Sequence, residues 1–135
     1  MNIWIGAIYT EGAEEDLEIL RNRFAQELTN ELQKLGLATT LDSLAVVLNI
    51  RNPALGVSQE SAYFRNADNS YYVVTNVGFD DWANGARPRR ADLVAQALDR
   101  ALNRTPSSRL SDSDKDRIRS KIEEVRKKLR RVLLT

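Results

Sequence analysis

The sequence predicts a single α+β domain over residues 1–135, with a small, mostly antiparallel sheet flanked by helices in the order β-α-β-β-β-α-α. β-Branched and aromatic residues are concentrated in short runs, at residues 2–9 and between Leu44 and Phe79, as they are in strands. Elsewhere in the chain, apolar residues recur every three or four positions, which is typical of amphipathic helices. A length of 135 residues suits one domain with its own core.

The N-terminal part of the chain is predicted to form a strand and then a long helix. Residues 2–9 are apolar on both faces, so we expect a central or helix-covered strand with Trp4 in the core. A helix then runs from Gly12 to Leu35, and Gly36 supplies its C-terminal stop. Its apolar stripe consists of Leu17, Leu20, Phe24, Leu28, Leu32 and Leu35. Glu31 falls within this stripe and therefore needs a cationic partner or a route to solvent.

The next three strands are predicted at residues 44–50, 61–65 and 70–77. Pro53 follows the first of them and ends it, because proline cannot donate a hydrogen bond to a strand ladder. The other two strands form a hairpin across the polar turn at 66–69, whose residues tolerate turn dihedrals.

Two helices close the chain. After a turn-rich segment with room for one helical turn, Pro88 suits the first turn of a helix that reaches about Asn103. Ser111, with Asp114 three residues later, resembles a capping box at the start of a last helix from about 112 to 133. We expect this last helix to lie on the surface and bury one edge, because its apolar stripe is narrow. The stripe consists of Ile118, Ile122, Val125, Leu129 and Val132.

The composition excludes several classes of enzyme. The chain has no cysteine and no histidine, so thiolate nucleophiles, disulfides and the commonest general base and metal ligand are all missing. We therefore expect no catalytic activity, no metal and no cofactor. The N-terminal run lacks a basic region, and no segment approaches the roughly 18 apolar residues of a membrane span, which favours a cytoplasmic protein without membrane contact.

The charge of the chain is asymmetric, although the net charge is only +1. Residues 1–60 carry a net charge of −5 (four cations, nine acids), and residues 61–135 carry +6 (sixteen cations, ten acids). Charged partners would explain this asymmetry, and so would elements of opposite sign that pack together. The basic last helix could bind nucleic acid, but it has acids near its start and cations near its end, an arrangement that the helix dipole alone favours.

Two acidic segments are the candidate binding sites. They are Asp80 and Asp81 beside Trp82, and Glu11, Glu14 and Glu15 at the start of the first helix. Adjacent carboxylates on a helix point about 100° apart and do not converge on one substrate atom, which argues against catalysis. The helix dipole also favours acids at a helix start, so capping is the alternative explanation. Trp82 is either an aromatic anchor at this site or a core residue that closes the corner between sheet and helix.

Several segments of the chain carry a family resemblance. They are residues 48–53, 58–65, 72–82 and 109–111. Together they resemble a family of small immunity proteins encoded beside bacterial polymorphic toxins, including those of contact-dependent growth inhibition systems. The resemblance covers about residues 44–125, and the first 40 residues carry little of it.

The resemblance implies a cytosolic protein that binds one cognate toxin domain and blocks it without catalysis. It leaves open whether the toxin is a nuclease or has another activity. A toxin that handles polyanions has a cationic active site, and the acidic segments are the residues expected to face it. Two alternatives remain: a small nucleic-acid-binding regulator that uses the basic last helix, and an adaptor domain that self-associates through the sheet edge.

Overall fold

The computed structural model describes residues 1–9, 14–51 and 60–133, and the side chains of these residues except 14–16 and 51. Its elements are β1 (Asn2–Tyr9), α1 (Glu14–Leu35), β2 (Ser43–Arg51), β3 (Ser61–Arg65), β4 (Ser70–Gly78), α2 (Phe79–Asn84), α3 (Arg87–Arg104) and α4 (Asp112–Leu133). The α+β class and the predicted order of strands and helices are confirmed. The short helix α2 occupies the segment for which one helical turn was expected.

The four strands form one sheet in the order β1-β2-β4-β3. The central strand β2 runs parallel to both β1 and β4, and only β3 is antiparallel to its neighbour β4. The expectation of a mostly antiparallel sheet is therefore wrong, and the sheet is mixed. The reason is the crossover helix α1, which returns the chain to its starting end so that β2 runs in the direction of β1.

The hydrophobic core lies between one face of the sheet and the helices. Every second residue of the strands points into it: Ile3, Ile5, Leu44, Val46, Leu48, Ile50, Tyr71, Val73 and Val77. The apolar stripe of α1 packs against β1, α3 packs against β4 and β2, and α4 packs on α3 and α1. Within the described residues, the buried side chains of α1, α2 and α3 all join this single core.

Strand β1 differs from its prediction. It lies at the edge of the sheet, and Trp4 is 54% exposed rather than buried in the core. Strand alternation is the physical reason: Ile3 and Ile5 face the helices, so Trp4 and Ile8 must face the other way. The indole of Trp4 lies over Gly6, where an added Cβ would come within 2.3 Å of the ring.

The residues predicted to end or begin elements have the expected geometry in the structure. Gly36 has a positive φ of 58° after the last turn of α1, and Asn69 has a φ of 53° in the hairpin turn. At the start of α4, the Ser111 hydroxyl accepts a hydrogen bond from the Asp114 amide at 3.1 Å, as the capping motif predicts.

Glu31 finds the cationic partners that its position in α1 requires. Its carboxylate lies 3.3 Å from the Lys34 amine and 3.7 Å from the Lys121 amine of α4. The hydrogen bond from Lys34 is the main reason that the pKa of Glu31 is lowered. The α1 stripe can therefore include one acidic residue.

In the described ranges, no helix combines the length and the apolar character needed to span a bilayer.

Candidate functional site

The sheet face turned away from the core carries a row of aromatic side chains. The strand register places Trp4, Ala45, Tyr72 and Tyr63 side by side across all four strands. Trp4 is 54% exposed and Tyr63 is 52% exposed. The rings of Tyr63 and Tyr72 stack with their centroids 5.2 Å apart and their planes 10° from parallel. This stacking holds the Tyr63 and Tyr72 rings against each other, so this pair presents a preformed aromatic surface.

Aliphatic residues extend this surface along the strands. Val47 and Val74 are half-buried neighbours in the next row, and Ile8 is 47% exposed in the row after that. We call the surface formed by Trp4, Ile8, Val47, Tyr63, Tyr72 and Val74 the open face. Single exposed apolar residues are common on proteins, but contiguous ones mark interaction surfaces.

A buried amide pair lies at one end of the open face. Asn49 on β2 is only 5% exposed, and its Nδ2 donates a hydrogen bond to Oδ1 of Asn76 on β4 at 3.1 Å. Its own Oδ1 is buried and accepts no hydrogen bond in the described part of the chain. A buried carbonyl oxygen without a hydrogen bond costs free energy of folding. The placement of the Asn49 side chain under the open face therefore destabilises the fold.

The outer edge of β1 is closed by two side chains of α1. Thr29 Oγ1 accepts a hydrogen bond from the Ile3 amide at 3.0 Å and donates one to the Ile3 carbonyl at 3.4 Å. Nη1 of Arg21 donates to the Ile5 carbonyl at 2.8 Å. Because these backbone groups already have partners, a further strand cannot add to them without breaking side-chain hydrogen bonds.

At the acidic turn, the structure separates the aromatic residue from the carboxylates. Asp80 and Asp81 are exposed in the first turn of α2, and Asp81 lies 3.7 Å from the guanidinium of Arg89. Trp82 is 1% exposed and belongs to the core. The Arg90 guanidinium lies 5.2 Å from the centre of its ring, and Arg90 Nε donates to its carbonyl. Trp82 is therefore the core residue of the two alternatives, and a role for Asp80 and Asp81 stays a prediction.

Most of the second acidic segment lies outside the residues that the structure describes. Glu11 is outside the described residues, and Glu14 and Glu15 form the first turn of α1 with side chains that are not described. Their predicted role in binding therefore stays a prediction.

The cations of α4 are mostly engaged in ion pairs. Arg126 is bonded to Asp92 of α3 at 2.8 Å and to Glu123. Lys128 lies 2.8 Å from Glu27 of α1. The Asp92 and Glu27 pairs fasten the basic helix to α3 and α1, and the Lys128–Glu27 pair joins the basic half of the chain to the acidic half. A groove on this helix is lined by four cations, Arg126, Lys127, Arg130 and Arg131.

An ion-paired carboxylate fixes the hairpin to α3. Glu60 Oε1 accepts hydrogen bonds from the Thr75 hydroxyl and the Asn76 amide, and Oε2 lies 2.8 Å from the Arg104 guanidinium. Burial opposes ionisation of Glu60, but the hydrogen bonds from Asn76 and Thr75 and the charge of Arg104 outweigh it and lower the pKa. Glu60 thus positions β3 beside β4 as an ionised group.

Sequence reasoning missed the open face because the apolar run of β1 was taken as evidence of burial on both sides. The alternation of the strand is the signal that could have revealed it. Ile3 and Ile5 lie on one face of β1, and Trp4, Gly6 and Ile8 lie on the other. A glycine beside a tryptophan on the same strand face provides room for the indole to lie flat against the sheet.

Among the described residues, the α+β fold has one sheet face that the helices cover and one, the open face, that no helix covers. Comparison of the chain with protein-family models, with curated proteins and with solved structures found no match. The resemblance to immunity proteins therefore rests on the four sequence segments given above.

Proposed function

We propose that this chain is a non-catalytic, cytoplasmic protein-binding domain that neutralises a cognate bacterial toxin. The observation that supports protein binding is the open face, with Trp4, Ile8 and Tyr63 each about half exposed beside the half-buried Val47 and Val74. Tryptophan and tyrosine are enriched at the centres of protein interfaces, where they supply most of the binding energy. The toxin as partner is supported by the sequence resemblance.

The rigidity of the open face favours tight binding. Its side chains project from strands of one sheet, and the Tyr63–Tyr72 stack is formed before any partner arrives. Side chains that are already ordered in the free protein lose less conformational entropy on binding, so the free-energy cost of association is smaller. Neutralisation then requires no chemistry, because a partner surface covered by this face is closed to its substrate.

In this proposal the acidic turn supplies a polar rim at one end of the open face. Strands β1, β2 and β4 are parallel, so their C-terminal ends meet at one end of the sheet. Ile8 lies near that end on β1, and Asp80 and Asp81 follow β4 there. A polar rim around an apolar centre is the usual arrangement of an interface. In this proposal the carboxylates steer a cationic partner, and the aromatic residues hold it.

The test is binding to the toxin domain encoded beside this gene, with growth rescue as the functional readout. Trp4→Ala and Tyr63→Ala should each raise the Kd roughly 30-fold, the effect of losing about 2 kcal/mol at an aromatic hot spot. Ile19→Ala is the matched control, because Ile19 is 61% exposed on α1 and lies outside the open face. Charge reversal at Asp80 and Asp81 should slow association and leave the thermal midpoint nearly unchanged.

Full protection and unchanged affinity in a Trp4→Ala, Tyr63→Ala double variant would remove the open face from the binding site. A wild-type chain that neither binds nor rescues would refute the toxin as partner.

A further inference from the structure

The edge strand β3 leaves backbone groups facing outward. It has five residues and pairs with β4 on one side. Along a strand, the N–H and C=O groups of successive residues point to alternate sides. The backbone N–H of Asn76 points toward the β3 side of β4, where Glu60 accepts its hydrogen bond. The backbone groups of Tyr72 and Val74, four and two residues earlier, therefore point to the same side. Their partners Tyr63 and Ser61 therefore bond to β4, and the backbone groups of Ala62 and Phe64 point away from the sheet.

The two edges of the sheet thus differ. The outward groups of Ile3 and the outward carbonyl of Ile5 are bonded by Thr29 and Arg21. Among the described residues, no side chain is bonded to the backbone of Ala62 or Phe64. Proteins commonly protect exposed strand edges, because such edges are templates for another strand. Side chains protect the β1 edge in that way, and no side chain of the described residues protects the β3 edge.

An aromatic ring and an arginine flank the β3 edge on each face of the sheet. On the open face, the Arg65 guanidinium lies 5.6 Å from the centre of the Tyr72 ring, beside Tyr63. On the helix-covered face, the Arg109 guanidinium lies 3.8 Å from the centre of the Phe64 ring. Neither arginine forms an ion pair with a carboxylate in the described residues. Both cations are therefore held in place by rings and available to an anion.

We propose that the β3 edge binds an extended acidic segment of a partner protein as a fifth strand. The backbone groups of Ala62 and Phe64 would supply main-chain hydrogen bonds, as in other complexes formed by strand addition. Consecutive residues of a strand point to opposite faces, so two adjacent carboxylates in the segment would reach Arg65 on one face and Arg109 on the other. This inference rests on the proposed function for the partner being a protein, and its test does not require the toxin.

A second copy of the chain is a poor occupant of this edge. Pairing β3 with β3 of another copy would bring both pairs of Arg65 and Arg109 to one seam. The mutual repulsion of four like charges at one seam opposes this pairing. The carboxylate of Glu60, the residue that precedes β3, already pairs with Arg104 at 2.8 Å. Charge complementarity therefore favours an acidic segment from a different protein.

Two synthetic nonapeptides of alternating threonine and valine test the proposal. One has two adjacent glutamates at its centre and the other has two adjacent lysines. Titrated into ¹⁵N-labelled protein, the glutamate peptide should shift the amide resonances of Ala62 and Phe64 and slow their hydrogen exchange. It should bind at least tenfold more tightly than the lysine peptide. Arg65→Glu together with Arg109→Glu should reverse this preference.

A proline substitution tests the backbone contact separately. Ala62→Pro removes the outward N–H without removing a bond to β4, and proline is tolerated at such edge positions. It should abolish peptide binding, whereas the control Ala62→Val, which keeps the N–H, should stay within about twofold of wild type. If Ala62→Pro unfolds the domain, the charge-reversal variant still decides the question.

Three results would overturn the proposal. They are equal binding of the two peptides, undiminished binding by a folded Ala62→Pro variant, and a concentration-dependent dimer that protects Ala62 and Phe64 without any peptide. The last result would assign the edge to a second copy. Peptide binding without toxin rescue would refute the proposed function alone, and rescue without peptide binding would refute the edge site alone.

Discussion

Truncation of Leu28 is expected to destabilise the domain strongly. Leu28 has no exposed surface and lies in the stripe of α1 that joins the core. Leucine-to-alanine changes at such sites cost about 2–5 kcal/mol, because they remove buried methylene groups and leave a cavity. We expect about 3 kcal/mol for Leu28→Ala. With an unfolding entropy of about 2.1 cal/mol/K per residue, this cost lowers the Tm of a 135-residue domain by about 10 °C.

The matched control is Ile19→Ala on the opposite side of the same helix. Ile19 is 61% exposed, so its truncation should cost less than about 0.5 kcal/mol. Urea denaturation followed by circular dichroism measures both variants. The midpoint should fall for Leu28→Ala at an unchanged m-value, because the folded surface is the same. Equal midpoints for the two variants would show that the assigned buried face of α1 is wrong.

Three further predictions concern charged groups. The pKa of Glu60 is lowered in the folded state, so its ion pair stabilises the domain above about pH 4.3 and this contribution is lost as the pH falls through the folded pKa. Glu60→Gln should therefore lower the Tm at pH 7, and this effect should fade as the pH falls through the lowered folded pKa. Asp99 is the opposite case, because burial raises its pKa and the charge of Arg119 only partly opposes this shift. Its Oδ1 is buried and has no hydrogen-bond partner in the described chain. Because the pKa is raised in the folded state, ionisation of Asp99 costs stability as the pH rises above its ordinary pKa, so Asp99→Asn should raise the Tm at pH 7, and the gain should vanish in acid. For the basic helix, we expect no nucleic-acid binding tighter than about 10⁻⁵ M at physiological salt, and charge reversal at Lys127 should weaken any residual binding in a mobility-shift assay; a sub-micromolar complex would contradict this.

The positions of the elements were predictable from local patterns. The strand at residues 2–9, the hairpin strands and the last helix from 112 to 133 coincide with the structure to within about one residue. These segments have strong periodicity and clear end signals, such as Ser111 at the start of α4. Local patterns carry that information because they depend on neighbours along the chain.

Local sequence patterns could not predict the directions of the strands or the exposure of the open face. The parallel pairing of β1 with β2 is set by the crossover through α1, and hydrophobicity alone does not report strand direction. Trp4 and Trp82 show the same limit: both lie in apolar or turn-rich contexts, yet one is exposed on a sheet face and the other is buried. Tertiary packing decided between them.

The two tryptophans allow a direct measurement of the central claim, that a toxin domain binds on the open face. The chain labelled with 5-fluorotryptophan should give two ¹⁹F resonances. In the free protein, the exposed Trp4 should show a solvent-isotope shift and the buried Trp82 should not. Saturation with the toxin domain should move the Trp4 resonance and remove its solvent-isotope shift, and it should leave Trp82 nearly unchanged. A saturated complex in which Trp4 keeps its free chemical shift and its solvent-isotope shift would contradict the claim.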